Sequence, residues 1–143
     1  MKENVIQHQI SLVAFKAVDV KFSVSSSLTD SQTDPIFDLK LSDLLINDNP
    51  NVFAKVFQLN LVINNISLKE IINFNVEFHT VFQCSENINE EFLNSEFSKI
   101  SAPAIGFPYL RAFVSNLSIQ AGLSPIILPS INFVQFHNNE TKN

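Results

Sequence analysis

Residues Val52 to Cys84 read VFAKVFQLNLVINNISLKEIINFNVEFHTVFQC, and this stretch decides the fold class. It holds two long runs of β-branched and aromatic residues around a short polar break, a composition suited to strands on a pleated, half-buried surface. In the first run Phe53, Phe57, Leu59, Leu61 and Ile63 form the stronger face. In the second, Ile72, Phe74, Val76, Phe78, Phe82 and Cys84 share one face, opposite Asn73, Asn75, Glu77 and His79. The two-residue period of a strand sends these sets to opposite sides of a sheet. Asn64 and Asn65 tolerate left-handed backbone, so a tight hairpin is expected between strands at Val52–Ile63 and Leu68–Cys84.

The same alternation runs upstream. Val18, Val20, Phe22 and Val24 alternate with Asp19, Lys21 and Ser23 within Ala17–Val24, and Phe37, Leu39 and Leu41 alternate with Asp38, Lys40 and Ser42. The run SSSLTDSQTDP, Ser25 to Pro35, fits a surface loop between these strands, and NDNPN at Asn47–Asn51 fits a turn after the second. Four strands joined by turns and loops imply an antiparallel sheet.

Past Cys84 the period lengthens. Ile88, Phe92, Leu93 and Phe97 recur at helical spacing, with Glu90 and Glu91 at the start, where acids favour the helix dipole. The main helix is expected over Pro103–Ala121, with Leu110, Phe113, Val114, Leu117 and Ala121 on one stripe and Gly122 as its C-cap. Pro108 fits its first turn or a kink. The segment LSPIILPSINF, broken by Pro125 and Pro129, is expected to be extended and packed, and HNNETKN after Phe136 to be a frayed polar tail. The fold class is α+β, a single domain over residues 1–143.

Composition bounds the function. Of 143 residues, 45% are hydrophobic and 16% charged, enough apolar side chain for one core. A formal charge of -5 leaves no basic surplus for phosphates or anionic lipid, so neither nucleic acid nor a membrane is an expected partner. The start lacks the apolar run of a signal peptide and no stretch approaches membrane-spanning length, so the expected location is the cytoplasm. The single cysteine, Cys84, cannot close an intramolecular disulfide, and with His8, His79 and His137 it supplies no spaced metal set. No cofactor is expected.

Catalytic chemistry is equally thin. His79 and Cys84 stand five residues apart on one strand, which sends them to opposite faces and rules out a local dyad. Two glycines cannot make a phosphate-cradling loop, and no Gly-x-Ser-x-Gly, His-Glu-x-x-His or Cys-x-x-Cys occurs. The expectation is a protein that is not an enzyme. What stands out is 14 Phe in a small acidic chain, enough for a generous core or for an open apolar groove.

The C-terminal third, SAPAIGFPYLRAFVSNLSIQAGLSPIILPSINF, Ser101 to Phe133, resembles the protein-export chaperone family SecB. Its members enter a helix through Phe-Pro-Tyr-x-Arg and follow it with a proline-broken segment ending in Pro-x-Asn-Phe. Here these are Phe107, Pro108, Tyr109 and Arg111, then Pro125, Pro129, Asn132 and Phe133. Val18–Phe22 and Pro35–Leu41 are similar to the family's first two strands. The resemblance implies a four-stranded antiparallel sheet in a wound Greek key with helices on one face. It also implies a homo-oligomer, a dimer or dimer of dimers, acting as an ATP-independent holdase for unfolded polypeptides. A SecB-like chaperone dedicated to one partner, such as the antitoxin of a toxin–antitoxin module, is the alternative.

On that resemblance the client groove is expected on the second and fourth strands and the proline-broken segment, with Phe37, Leu39, Leu41, Phe74, Val76, Phe78, Leu123 and Ile126 as contacts. Docking to the SecA motor would use acids on the outer sheet face. Asp19 matches one, whereas the other positions are Ser23 and Asn75, so the SecA contact is expected to be weak or lost. Val134 to Asn143 are fewer residues than the family's second helix and acidic tail occupy, and the C-terminus is read as shortened. Self-association is expected through the main helix and the first strand.

Overall fold

The computed structural model describes residues 10–26, 34–65 and 67–141. Four strands, β1 (Ile10–Ser26), β2 (Ile36–Leu45), β3 (Val52–Asn65) and β4 (Glu70–Cys84), form one antiparallel sheet in the order β1-β4-β3-β2. Three consecutive neighbours with the first strand placed beside the last make a Greek key. The helices follow: α1 (Glu90–Leu93), a π-helical turn (Phe97–Ser101), α2 (Ala102–Gln120) and α3 (Phe133–Thr141).

Register turns the alternation of each strand into rows across the inner face. Leu39, Leu59, Val76 and Val20 make one row, and Leu41, Phe57, Phe78 and Ala17 make the next. The central strands are buried in these rows, with Phe57, Phe74 and Phe78 essentially closed to solvent. The opposite face carries Asp19, Glu77, Gln58 and Lys40 in one row and Lys21, Asn75, Asn60 and Asp38 in the next. One apolar face and one polar face are what let a single layer of helices complete the core.

Five local expectations are corrected. The first strand begins at Ile10 rather than Ala17, and register shifts at Val13 and Val18 interrupt its alternation, so Val18 does not share a paired position with Val20. Each inserted residue offsets the faces by one, which a simple period of two does not anticipate. The β3–β4 hairpin does not turn at Asn64 and Asn65, which remain in β3; among the described residues of the connection the left-handed one is Lys69, with φ 52°. The expected surface loop overlaps β1 at Ser25 and Ser26, and residues 27–33 lie outside the described residues, as does His8.

The frayed tail is the fourth. Residues Phe133–Thr141 form α3, begun by Asn132, whose Oδ1 accepts the backbone N–H groups of Val134 (3.1 Å) and Gln135 (3.2 Å). Asn is a strong N-cap, and Phe133 and Phe136 supply the inward stripe, with Phe133 packing edge-on to Phe107 at 5.6 Å. The expected short helix over Ile88–Phe97 is also broken in two. Asn89 caps α1 by accepting from Phe92 N–H at 2.8 Å, and the chain leaves the helix at Asn94 before the π turn begins.

Helix α2 lies on the inner face with Phe107, Leu110, Val114 and Ser118 buried. It touches the sheet most closely at Gly106, where an added Cβ would sit 2.8 Å from Thr80 Oγ1 and 3.1 Å from Phe57 Cε2. Pro108 is interior rather than at the first turn, and its exposed position leaves the freed carbonyl to solvent. Gly122, at φ 87°, ends the helix as expected, with its N–H bonded to Ile119 O. Gly106→Ala gains about 1 kcal/mol of helix propensity. It must also push α2 off a fully buried Thr80, and overpacking costs about 1–3 kcal/mol. The expected outcome is a net loss of roughly 1 kcal/mol and a thermal midpoint lower by about 3 °C, read in a melt followed by circular dichroism.

Candidate functional site

The predicted groove residues fall into two groups. Phe74, Val76 and Phe78 lie in β4, an interior strand, and α2 covers them; they are core in this protomer rather than an open surface. The reason is strand order, which puts β4 between β1 and β3 under the helix. The strand β2 is an edge, so its inner-face residues have a strand neighbour on one side only. Along it Leu39 is buried opposite Leu59, Leu41 is half-buried opposite Phe57, and Phe37 is 39% exposed opposite Leu61.

Residues 121–132 lead back from the end of α2 toward Phe107 near its start. Tyr109 and Phe113 turn α2 toward β1, packing against Phe15 at 4.9 Å and Phe78 at 5.7 Å, while Phe107 meets Phe57 at 6.3 Å and Phe133 at 5.6 Å. The returning segment ends at Phe133, beside Phe107 where α2 meets Phe57 of β3. Ser118 ties it down: its Oγ accepts from Ile126 N–H at 2.9 Å and donates to Ser115 O at 2.7 Å. Leu123 and Ile126 pack half-buried on the core, Leu128 is buried, and Ile127 stands 69% exposed. Leu41, Leu123 and Ile126 thus pack half-buried on one core cluster, while Phe37 on the β2 edge and Ile127 in the returning segment stand open. The run Pro-Ile-Ile-Leu contained the signal for Ile127, but which of two adjacent isoleucines faces out depends on the Ser118 tie.

Asp19 is on the outer face, beside Glu77 and in a shallow depression of about 510 Å³ that also presents Lys21, Asp38, Lys40 and Gln58. Glu77 is held there by His79 Nε2 at 2.9 Å and Gln58 Nε2 at 3.4 Å. The alternation alone puts Asp19 on this face; that Glu77 and Asp38 share the depression with it follows from register. Acids and lysines are interspersed here, so the face has no single-sign field. His79 belongs to this outer face and Cys84 to the inner face. Burial raises the Cys84 thiol pKa above its ordinary value, which disfavours thiolate.

A third surface joins the β1 edge to α2. The Phe15 and Tyr109 rings pack against each other at a tilt of 34° while remaining 54% and 41% exposed, at a cleft of about 260 Å³ completed by Phe113, Asn116 and Leu117. Val20 and Val24, which pair on the same face as Phe15, are also exposed, as are Val13 and Val18 at the two register shifts.

The family model described as "Preprotein translocase subunit SecB" matches residues 2–143. Among curated proteins, the chain is 24% identical over 137 residues to the protein-export protein SecB 2 of Polaromonas naphthalenivorans, covering 94% of this chain and 82% of that one. It is 29% identical over 92 residues to an uncharacterized protein of Methanocaldococcus jannaschii; that match covers 64% of this chain and spans only 58% of the relative's length. Among solved structures, a SecB-like chaperone of Mycobacterium tuberculosis in complex with a ChAD peptide from an antitoxin superposes with a TM-score of 0.65 at 16% identity, covering 85% of this chain and 90% of that one. A Streptococcus agalactiae protein of unknown function gives 0.51 at 12% identity, covering 86% and 98%. At these identities the structural likeness establishes the fold.

Proposed function

Because the chain belongs to the SecB family, we propose that it is an ATP-independent holdase that takes up unfolded or partly folded polypeptides and keeps them from aggregating. The observation that carries this reading is the apolar surface left on the helix side of the sheet, where Phe37 and Ile127 stand open and Leu41, Leu123 and Ile126 are half-buried on one core cluster; the reading takes these as one client margin. An unfolded chain always offers apolar segments, and burying them at about 25 cal/mol per Å² discriminates little between sequences. Such binding uses no catalytic group and no nucleotide, and it is reversed by mass action when the client folds or is taken elsewhere. The clients are cytoplasmic polypeptides rather than nucleic acid or lipid, in keeping with the charge of -5. Among the described residues no helix is long and apolar enough to cross a membrane.

One observation favours a narrower role, the fold shared with a SecB-like chaperone whose structure holds an antitoxin peptide. In that case the same margin serves one dedicated partner. A role in export would add a contact with the SecA motor on the outer sheet face. With Lys21 and Lys40 set among Asp19, Asp38 and Glu77, that contact is weak and salt-sensitive, since each exposed ion pair contributes about 0.2–1 kcal/mol.

Fluorescence anisotropy with labelled, permanently unfolded polypeptides and no nucleotide separates these readings. A holdase binds several unrelated unfolded chains and ignores their folded forms; a dedicated chaperone binds one. Binding to none of them, antitoxin peptide included, would overturn both.

A further inference from the structure

The inner face of the sheet is interrupted by a polar row. Between the rows of Phe57 with Phe78 and Phe53 with Phe82 lies a row containing Asp43, Lys55 and Thr80. Lys55 is 2% exposed, and Thr80 and Ser98 are fully buried. Lys55 Nζ donates to Asp43 Oδ1 at 2.5 Å and reaches Ser98 Oγ, on the π turn, at 3.4 Å, while Lys99 Nζ stands 3.8 Å from Asp43 Oδ2. Thr80 Oγ1 donates to Lys55 O at 3.3 Å, and Gly106 rests on Thr80 from above.

This row divides the core. One apolar cluster lies under α2 and includes Phe57, Phe78 and Leu110; a second, smaller one holds Phe53, Phe82, Cys84 and Ala102, with Ile88, Phe92 and Leu93 packed on it. The cover of the second cluster is residues 85–101, which contain only the four-residue α1 and the π turn. Its backbone ties to the β2–β3 turn include Ile88 N–H to Pro50 O at 2.8 Å. Beneath it is a cavity of about 260 Å³ lined by Cys84, Phe92, Ser95 and Phe97.

We infer that residues 85–101 form a cap that opens as a unit while the α2 core stays folded, and that the Lys55–Asp43–Ser98 contact is its latch. Contiguous segments with few apolar contacts open locally at lower free energy than the whole domain. Most of the cap's apolar contacts, through Ile88, Phe92 and Leu93, are to the second cluster, and Ile100 alone of the cap residues packs on the main one, so opening the cap leaves most of the main cluster in place. A buried ion pair contributes little to net stability compared with apolar packing, yet losing one partner of it is strongly unfavourable, which suits a latch better than a staple. The cost of holding it closed is visible at Lys55, whose pKa is lowered by burial, with the Asp43 hydrogen bond and charge opposing.

Cys84 is the sole cysteine and floors the cap's cavity, so its alkylation by iodoacetamide reports opening in the intact chain. The wild-type rate is expected to exceed that of global unfolding and to respond only weakly to urea below the unfolding transition. Asp43→Asn, which leaves Lys55 without its counter-charge, raises the labelling rate by about tenfold relative to any change in global unfolding. The double change Asp43→Leu with Lys55→Met returns it to the wild-type rate or below. A wild-type labelling rate with the full urea dependence of global unfolding overturns the proposal without recourse to any variant. So does an Asp43→Asn effect matched by an equal change in global unfolding.

Discussion

Replacing Phe37 and Ile127 together by Ser lowers affinity for an unfolded polypeptide by about a hundredfold, from the loss of roughly 3 kcal/mol of apolar burial. The magnitude follows from how much of each side chain is left to cover. Ile127 is 69% exposed and Phe37 39%, so a bound client buries what solvent now wets. Ile127→Ser costs little folding free energy because its site is open. Phe37→Ser costs about 1 kcal/mol, since more than half of its ring is already covered, and the chain stays folded. The contrasting change is Leu39→Asp in the same strand. Leu39 is buried against Leu59, and an acid there unfolds the edge of the sheet rather than emptying a groove. Anisotropy titration of the double variant, alongside a urea melt, checks both halves. Wild-type affinity in a folded double variant would place the client surface elsewhere.

We propose that the protein self-associates through the β1 edge and α2, and the expected result of Phe15→Asp with Tyr109→Asp is a monomer, assembly being weakened by at least about a hundredfold. The surface calls for a cover on two counts. The β1 strand is a sheet edge 17 residues long, and an unpaired edge of that length is a template for another strand. Beside it lie the Phe15–Tyr109 pair and, on the same face, exposed Val20 and Val24, and a second copy in isologous contact would cover edge and apolar surface at once. Two aromatics removed from such a contact cost about 3 kcal/mol, and two carboxylates facing their symmetry mates add repulsion. Sedimentation velocity on both proteins at one concentration reads the change. A wild-type monomer, or a variant that assembles as before, would contradict it.

How much of this was legible in the chain depends on whether a feature is local. The four strands, the antiparallel arrangement, the long α2 and its Gly122 cap follow from periodicity and breakers within a dozen residues. The bulges at Val13 and Val18 do not, because an inserted residue shows only against a partner strand. The same limit governs the site. Periodicity places Phe37, Phe74 and Phe78 alike on an inner face, but strand order decides that β2 is an edge and β4 is interior, and hence that Phe74 and Phe78 are core. Lys55 is the plainest case. It sits in phase with Phe53 and Phe57, so the period points it inward, but only the Asp43 register partner and Ser98 overhead explain how a lysine can stay there. The cap at Asn132 was readable, since Asn before an apolar pair is a helix-start signal, and the polar residues after Phe136 obscured it.

The central claim, capture of unfolded polypeptide without nucleotide, is tested most directly by light scattering of a slow-folding client diluted from denaturant. With this protein present and ATP absent, scattering falls in proportion to the protein added until the client is saturated, and the held client folds once a competing unfolded chain displaces it. A scattering curve that superimposes on that of the client alone, even with the protein in several-fold excess, would contradict the account.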